Sequence, residues 1–311
     1  MSSLWVYPGQ GAQTPGLLHR LPACDVVREC LAEASEVLGE PVLALDTAQA
    51  LQRTRAVQLC LLLAGVASSR LLMGQAPPPD YVAGLSIGAY PAAVTAGVLS
   101  LAAAVRLVSL RGELMQRAFP AGYGMTAIVG LDLTRVEALV GQAHTPGSPV
   151  YVANINADNQ CVIAGAEAAM AWVAQQAKAA GAGLAKRLAV SVPSHCPLLE
   201  EAAAELDRAF SQQNLHAPTM GYLSGTRGRP LHTAAQLRDD LAFNLCRVVD
   251  WRATLENAFE RGVRVHVELP PGAVLTGLAK KVFEGGTALA FDYARLDTLT
   301  TVLTQERQRD R

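Results

Sequence analysis

The sequence has no charge imbalance to speak of. Its 26 Lys and Arg face 27 Asp and Glu, a formal net charge of −1, so nothing points to nucleic acid or an anionic membrane as the main partner. No apolar run reaches transmembrane length, even around residues 59–66. The opening M-S-S-L-W-V-Y-P lacks the basic and apolar regions of a secretion signal. Six cysteines, Cys24, Cys30, Cys60, Cys161, Cys196 and Cys246, are scattered without C-x-x-C spacing, and no Cys/His cluster is spaced for zinc. These absences lead to the expectation of a cytoplasmic protein with reduced, mostly buried thiols, no metal and no bound cofactor.

What the chain does contain is apolar and small. Half of its 311 residues are hydrophobic, enough for one large core or for a core with an insertion. Residues 4–7 read as a strand running into the glycine-rich loop Pro8-Gly9-Gln10-Gly11. Residues 17–38 and 47–72 read as helices, and Pro77-Pro78-Pro79 is a rigid connector. Ser100 is the expected N-cap of a helix over 100–118. Between 124 and 190 the pattern changes: strand 125–129, helix 133–143, strands 150–156 and 160–164, helix 166–180, strand 184–190. That β-α-β-β-α-β order is the ferredoxin-like signature. It predicts a small subdomain over 124–190 inserted into an α/β core made of 1–123 and 191–311. The core resumes at 190–192, is helical over 233–259 with a break near 247–250, and closes with a strand at 263–269 and a helix at 274–282. A polar tail, 305–311, is expected to fray.

Three places carry candidate chemistry. Tyr81-Val82-Ala83 reads as the end of a buried strand, followed by the pentapeptide Gly84-Leu85-Ser86-Ile87-Gly88 and a helix of small residues. This is the strand–turn–helix context of a nucleophile elbow, with Ser86 at its apex. The bland alternative is a helix-capping serine. Arg111 is flanked at i±3 and i±4 by Leu107, Val108, Leu114 and Met115, so its guanidinium needs an anionic partner: an internal Asp or Glu, or a substrate carboxylate. His195 sits at a strand-to-helix junction, where the helix N-terminus is expected to keep it neutral and able to accept a proton. Gln58 interrupts an apolar helix face and needs a specific hydrogen-bond partner.

The motifs P-G-Q-G-A-Q, G-L-S-I-G, R-G-E-L-M-Q, N-A-D-N-Q-C-V-I-A-G, V-P-S-H-C and P-P-G-A-V-L-T-G-L together resemble the malonyl-CoA:acyl carrier protein transacylases, in order and spacing, over nearly the whole chain. The resemblance implies an α/β-hydrolase-like core with a ferredoxin-like subdomain, and a ping-pong acyl transfer in which Ser86 attacks the malonyl thioester and His195 shuttles its proton. Backbone N–H groups of Gln10 and Ile87 would form the oxyanion hole. Arg111 would hold the malonyl carboxylate. Gln58 would line the same cavity, and Ser194 would leave room for a malonyl group. The backbone carbonyl that orients His195 would, by position, be that of Arg247. Many relatives read G-H-S-L-G-E at the elbow; Leu85 and Ala89 depart from that, and G-L-S-I-G-A-Y looks more like the transacylase (epsilon) subunit of malonate decarboxylase. The implied partners are malonyl-CoA, as a substrate, and an acidic acyl carrier protein, with Lys186-Arg187 and Lys280-Lys281 as candidate docking cations. A fatty-acid or polyketide transacylase is the alternative; a serine esterase is the less favoured one.

Overall fold

In a computed structural model of the chain, residues 2–119 and 121–308 are described. The chain enters as β1 (Ser2–Tyr7), and after two helices reaches β2 (Tyr81–Gly84). Strands β3 (Tyr123–Val129), β4 (Val150–Ala157), β5 (Gln160–Ala166) and β6 (Leu184–Arg187) follow. The last third adds β7 (Gly221–Leu223), β8 (Pro230–Leu231), β9 (Val249–Asp250), β10 (Val263–Glu268) and β11 (Thr287–Ala290). They form two sheets, ordered β11-β10-β1-β2-β7-β8 and β6-β3-β5-β4-β9.

The first sheet is parallel except for its β7–β8 edge. Leu4, Trp5, Val6 and Tyr7 of β1 are all fully buried, as expected of a parallel strand covered on both faces. Alternate residues feed different cores: Trp5 and Tyr7 pack in the main helical cluster, while Leu4 and Val6 pack with Trp251, Leu255 and Leu275. The helix Thr54–Met73 lies under the first face, against the helices Asp25–Leu38 and Leu101–Ala118. By length and composition this helix could cross a membrane, contrary to the sequence expectation; here its apolar surface is nearly all inside the protein.

The second sheet carries the ferredoxin-like order, β6-β3-β5-β4, with antiparallel pairing throughout those four strands. Its helices Leu133–Ala143 and Glu167–Ala179 bury Val136, Met170 and Val173 on one face. The core also lends it a strand: β9 pairs parallel with β4.

Several boundaries differ from the sequence expectation for identifiable reasons. The helix expected over 17–38 begins only at Asp25, because the buried Asp46 carboxylate takes the N–H groups of Leu17 and Leu18 at 2.9 and 2.7 Å and holds that stretch as turns. The helix expected from 47 starts at Thr54, after a short 3-10 turn at Ala50–Gln52. Residues 190–192 are irregular rather than a strand. Ser100 does cap its helix, accepting from the Ala103 N–H at 3.1 Å. The final helix runs Leu296–Gln308 through the start of the expected tail; 309–311 lie outside the described residues.

The glycines of the pentapeptide are required by contact. An added Cβ at Gly84 would lie 2.0 Å from the backbone carbon of Gly88, and one at Gly88 would lie 2.1 Å from the Tyr7 carbonyl oxygen. Gly88→Ala is therefore expected to destabilise the protein by about 3 kcal/mol or more, because backbone and not a flexible side chain must move. Gly141→Ala, at an exposed position of the helix Leu133–Ala143 with open space around it, is expected to stabilise it by about 0.5–1 kcal/mol. Urea or thermal unfolding of both variants checks the pair; similar shifts for the two would contradict the contact argument.

Candidate active site

The strand β2 ends at Gly84, and Ser86–Gly88 forms a 3-10 turn that leads into the helix Ala89–Thr95. The turn is pinned to β1 by the Leu85 N–H, which donates to the Tyr7 carbonyl at 3.0 Å. Ser86 is held at φ +58° and His195 at φ +63°, the two non-glycine residues in the left-handed region among those described. Each such conformation costs about 1–2 kcal/mol for a residue with a Cβ. The strain is thus concentrated on the serine and histidine that the sequence singled out.

His195 lies in the loop before the 3-10 turn Pro197–Leu199, with its N–H bonded to the Leu245 carbonyl at 2.7 Å. Its Nδ1 is 2.6 Å from the Asn244 carbonyl oxygen and its Nε2 is 2.8 Å from Ser86 Oγ. A carbonyl can only accept, so Nδ1 carries the proton and Nε2 presents its lone pair to the serine hydroxyl. The family resemblance puts the orienting carbonyl on Arg247, and the structure corrects this to Asn244. Asn244 ends the helix Ala234–Phe243, where the last carbonyls have no partner within the helix and are free to meet the imidazole. Arg247 is turned away, its guanidinium on the Asp239 carboxylate at 2.6 and 2.9 Å. Its carbonyl contributes only as a secondary neighbour of the ring.

His195 is pushed down to about 4, chiefly by burial and next by the Arg111 charge, against the opposing pull of the Asn244 and Arg247 carbonyls. The expectation of a neutral imidazole holds in direction, but burial and a nearby cation are the causes, not a helix N-terminus.

Arg111 is fully buried on the helix Leu101–Ala118. Its Nη2 is 3.1 Å from Asn244 Oδ1 and 3.4 Å from Ser86 Oγ, and Nη1 is 3.3 Å from the Met115 thioether. The guanidinium lies 5.8 Å from the centre of the Tyr90 ring, and Nε has no partner. Among the described residues no carboxylate pairs with it, and burial lowers its pKa against the smaller opposing effect of Tyr90. The internal Asp or Glu partner allowed by the sequence is absent from this set.

Gln58 is also fully buried; its Nε2 donates to Gln10 Oε1 at 3.2 Å and approaches Met115 Sδ at 3.1 Å. Gln10 belongs to the loop after β1, which passes directly over the elbow: an added Cβ at the neighbouring Gly9 would stand 3.5 Å from Ser86 Cβ. Ile87 lies in the first turn of its 3-10 segment, where an N–H has no partner inside the helix. A cavity of about 290 Å³ opens here between the two sheets. Gln10, Ser86, Ser194 and His195 line its core side, and Asn154, Asn156 and Gln160 its subdomain side. Arg111 lies behind Ser86 and does not line this cavity, and Gln58, expected along its wall, reaches it only through Gln10.

The sequence missed the side chain of Asn244, which has no periodic or motif signal of its own. It also missed Tyr90 and Met115, which read as ordinary core. Of the candidate docking cations, Arg187 is engaged, on Glu167 at 3.2 Å and on the Met125 carbonyl at 3.1 Å, whereas Lys186, Lys280 and Lys281 are exposed.

Residues 4–299 match the family described as acyl transferase domain. The chain is 39% identical over 307 residues to the malonyl CoA-acyl carrier protein transacylase of Salmonella typhimurium, covering 97% of this chain and 98% of that one. The solved malonyl CoA-acyl carrier protein transacylase of Coxiella burnetii has a TM-score of 0.92 and 35% identity, with 98% of both chains covered. A malonyl-transacylase solved in complex with a type II PKS acyl-carrier protein has a TM-score of 0.90 and 35% identity, covering 98% of this chain and all of that one. On the match of nearly the whole chain, this protein belongs to the acyl transferase domain family, among the malonyl-CoA:acyl carrier protein transacylases.

Proposed function

We propose that this acyltransferase moves a malonyl group from malonyl-CoA to the thiol of an acyl carrier protein. One observation carries the acyl preference: a buried arginine with no carboxylate partner among the described residues stands 3.4 Å from the serine hydroxyl. A buried guanidinium is costly while only neutral groups meet it, and a free carboxylate on the acyl group supplies the missing anion. Hydrolysis of neutral esters leaves that arginine without a purpose.

The mechanism follows from the hydrogen bonds. Ser86 Oγ attacks the thioester carbonyl as His195 Nε2 takes its proton. The tetrahedral oxyanion is received by the N–H groups of Gln10 and Ile87. Collapse expels the CoA sulfur, which takes the proton from His195, and leaves a malonyl ester on Ser86. The carrier thiol then gives its proton to Nε2, its sulfur attacks the ester, and Ser86 recovers the proton. Asn244 keeps Nδ1–H fixed throughout by its carbonyl. Gln58 braces Gln10 at the cavity wall, and the small Ser194 beside His195 leaves space for the acyl group. Malonyl-CoA is consumed and free CoA is released, so the thioester is a substrate and not a bound cofactor.

The relatives named above support a carrier-protein transacylase of fatty-acid or polyketide synthesis, and this is preferred to the malonate decarboxylase subunit suggested by the elbow. The second reading keeps one observation: Leu85 lines the cavity in place of an imidazole, and Ala89 is buried behind it. Transfer rates to a synthase carrier protein and to a decarboxylase carrier subunit separate the two. Faster loading of the decarboxylase carrier would reverse the preference.

Arg111→Ala is expected to lower the ratio of kcat/KM for malonyl-CoA over acetyl-CoA by about ten- to a hundred-fold, the size of one or two charge-assisted hydrogen bonds. An unchanged ratio would remove Arg111 from this role. The pH profile gives a second check. Burial and Arg111 disfavour the imidazolium, so neutral His195 persists as pH falls and is lost only near pH 4, not at the ordinary 6.5. The acid limb of kcat/KM should lie there in the wild type and move upward in Arg111→Gln. A wild-type limb between 6 and 7 would contradict the assignment.

A further inference from the structure

Among the described residues Arg111 is held by neutral acceptors, and the closest oxygen is the side-chain amide of Asn244. Nη2 reaches Asn244 Oδ1 at 3.1 Å, against 3.4 Å to Ser86 Oγ. The same amide donates from Nδ2 to the backbone carbonyl of Ser86 at 3.3 Å. Asn244 therefore touches the cation with its side-chain oxygen, the strained serine with its side-chain nitrogen, and the base with its own carbonyl.

The residue is rigidly placed. It is 2% exposed and ends the helix Ala234–Phe243. One turn earlier, buried Asp240 accepts from Ser224 Oγ and Thr226 Oγ1, each at 2.6 Å. Tyr90, whose ring faces Arg111, donates its hydroxyl to the Leu241 carbonyl at 3.0 Å. The amide is thus fixed from the side away from the cavity.

An amide also has the right strength for this place. A carboxylate there would neutralise Arg111 permanently and compete with any anionic acyl group. A hydrocarbon would leave a buried cation with a thioether and a hydroxyl as its only hydrogen-bond acceptors. A neutral amide oxygen orients the guanidinium and still yields to a full negative charge. We propose that the Asn244 side chain is a positioning residue that holds Arg111 ready beside Ser86, and thereby sets the preference for acyl groups bearing a free carboxylate over neutral ones. The inference rests on the malonyl-transfer reading above.

The test compares single-turnover acylation by malonyl-CoA and by acetyl-CoA in the wild type, Asn244→Asp and Asn244→Leu, each checked for folding by circular dichroism. Asn244→Asp should lower the malonyl-over-acetyl ratio about ten-fold or more, because the new carboxylate occupies Arg111. It should also raise the acid limb of acetyl transfer, because the Arg111 charge that opposes protonation of His195 is offset. Asn244→Leu should lower the ratio by less, and it carries the test alone if the Asp variant does not fold. A purely structural role would slow both thioesters by the same factor, and an unchanged ratio in a folded variant overturns the proposal while leaving malonyl transfer in place. A wild type that shows no preference for malonyl-CoA overturns the reading itself, and the role of Asn244 with it.

Discussion

A guanidinium buried without a carboxylate is the constraint around which this site is arranged. Taking such a charge out of water costs several kcal/mol even after relaxation. Among the described residues the cost is met with dipoles: an amide oxygen, a hydroxyl, a thioether and the face of Tyr90. In the proposed function that arrangement keeps one strong interaction in reserve for an anion arriving beside Ser86. It also acts on the base, since the Arg111 charge is the second cause of the low proton affinity of His195. On the proposed reading, substrate selection and acid–base chemistry are linked through one side chain.

The frame that holds this cation next to a serine is built on close backbone approach. Gly84 abuts Gly88, and Gly88 abuts the Tyr7 carbonyl, with no room for a Cβ at either place. The turn they allow puts Ser86 in the left-handed region, and the loop of His195 shows the same conformation. Both are over-determined by surrounding bonds: Leu85 N–H to β1 on one side, His195 N–H to Leu245 and Nδ1 to Asn244 on the other. Strain held in this way keeps Oγ and Nε2 at 2.8 Å without needing a triad carboxylate.

Much of this was legible in the residues. The elbow showed because the strand, the two glycines and the small-residue helix agree with one another. Arg111 stood out because four apolar neighbours at helical spacing leave a charge nowhere to go. The ferredoxin-like order was readable because strands and helices alternate period cleanly between 124 and 190, although the strand expected over 184–190 ends at Arg187. What escaped notice has physical reasons as well. The strands β7, β8, β9 and β11 are two to four residues long, too short to show a period, and depend on neighbours for their pairing. The orienting carbonyl was placed on Arg247 because any residue can supply a carbonyl, so only the end of the helix Ala234–Phe243 decides which one meets the ring. The helix Thr54–Met73 has the apolar length of a membrane span, and its place in the core is set by the helices packed around it.

The central claim, that Ser86 carries the acyl group and that its pocket selects a free carboxylate, is tested most directly by intact-protein mass after brief mixing with malonyl-CoA, followed by peptide mapping. The account predicts a malonyl ester on Ser86 in the wild type and none in Ser86→Ala. A malonyl adduct on another residue, or one that survives in Ser86→Ala, would contradict it.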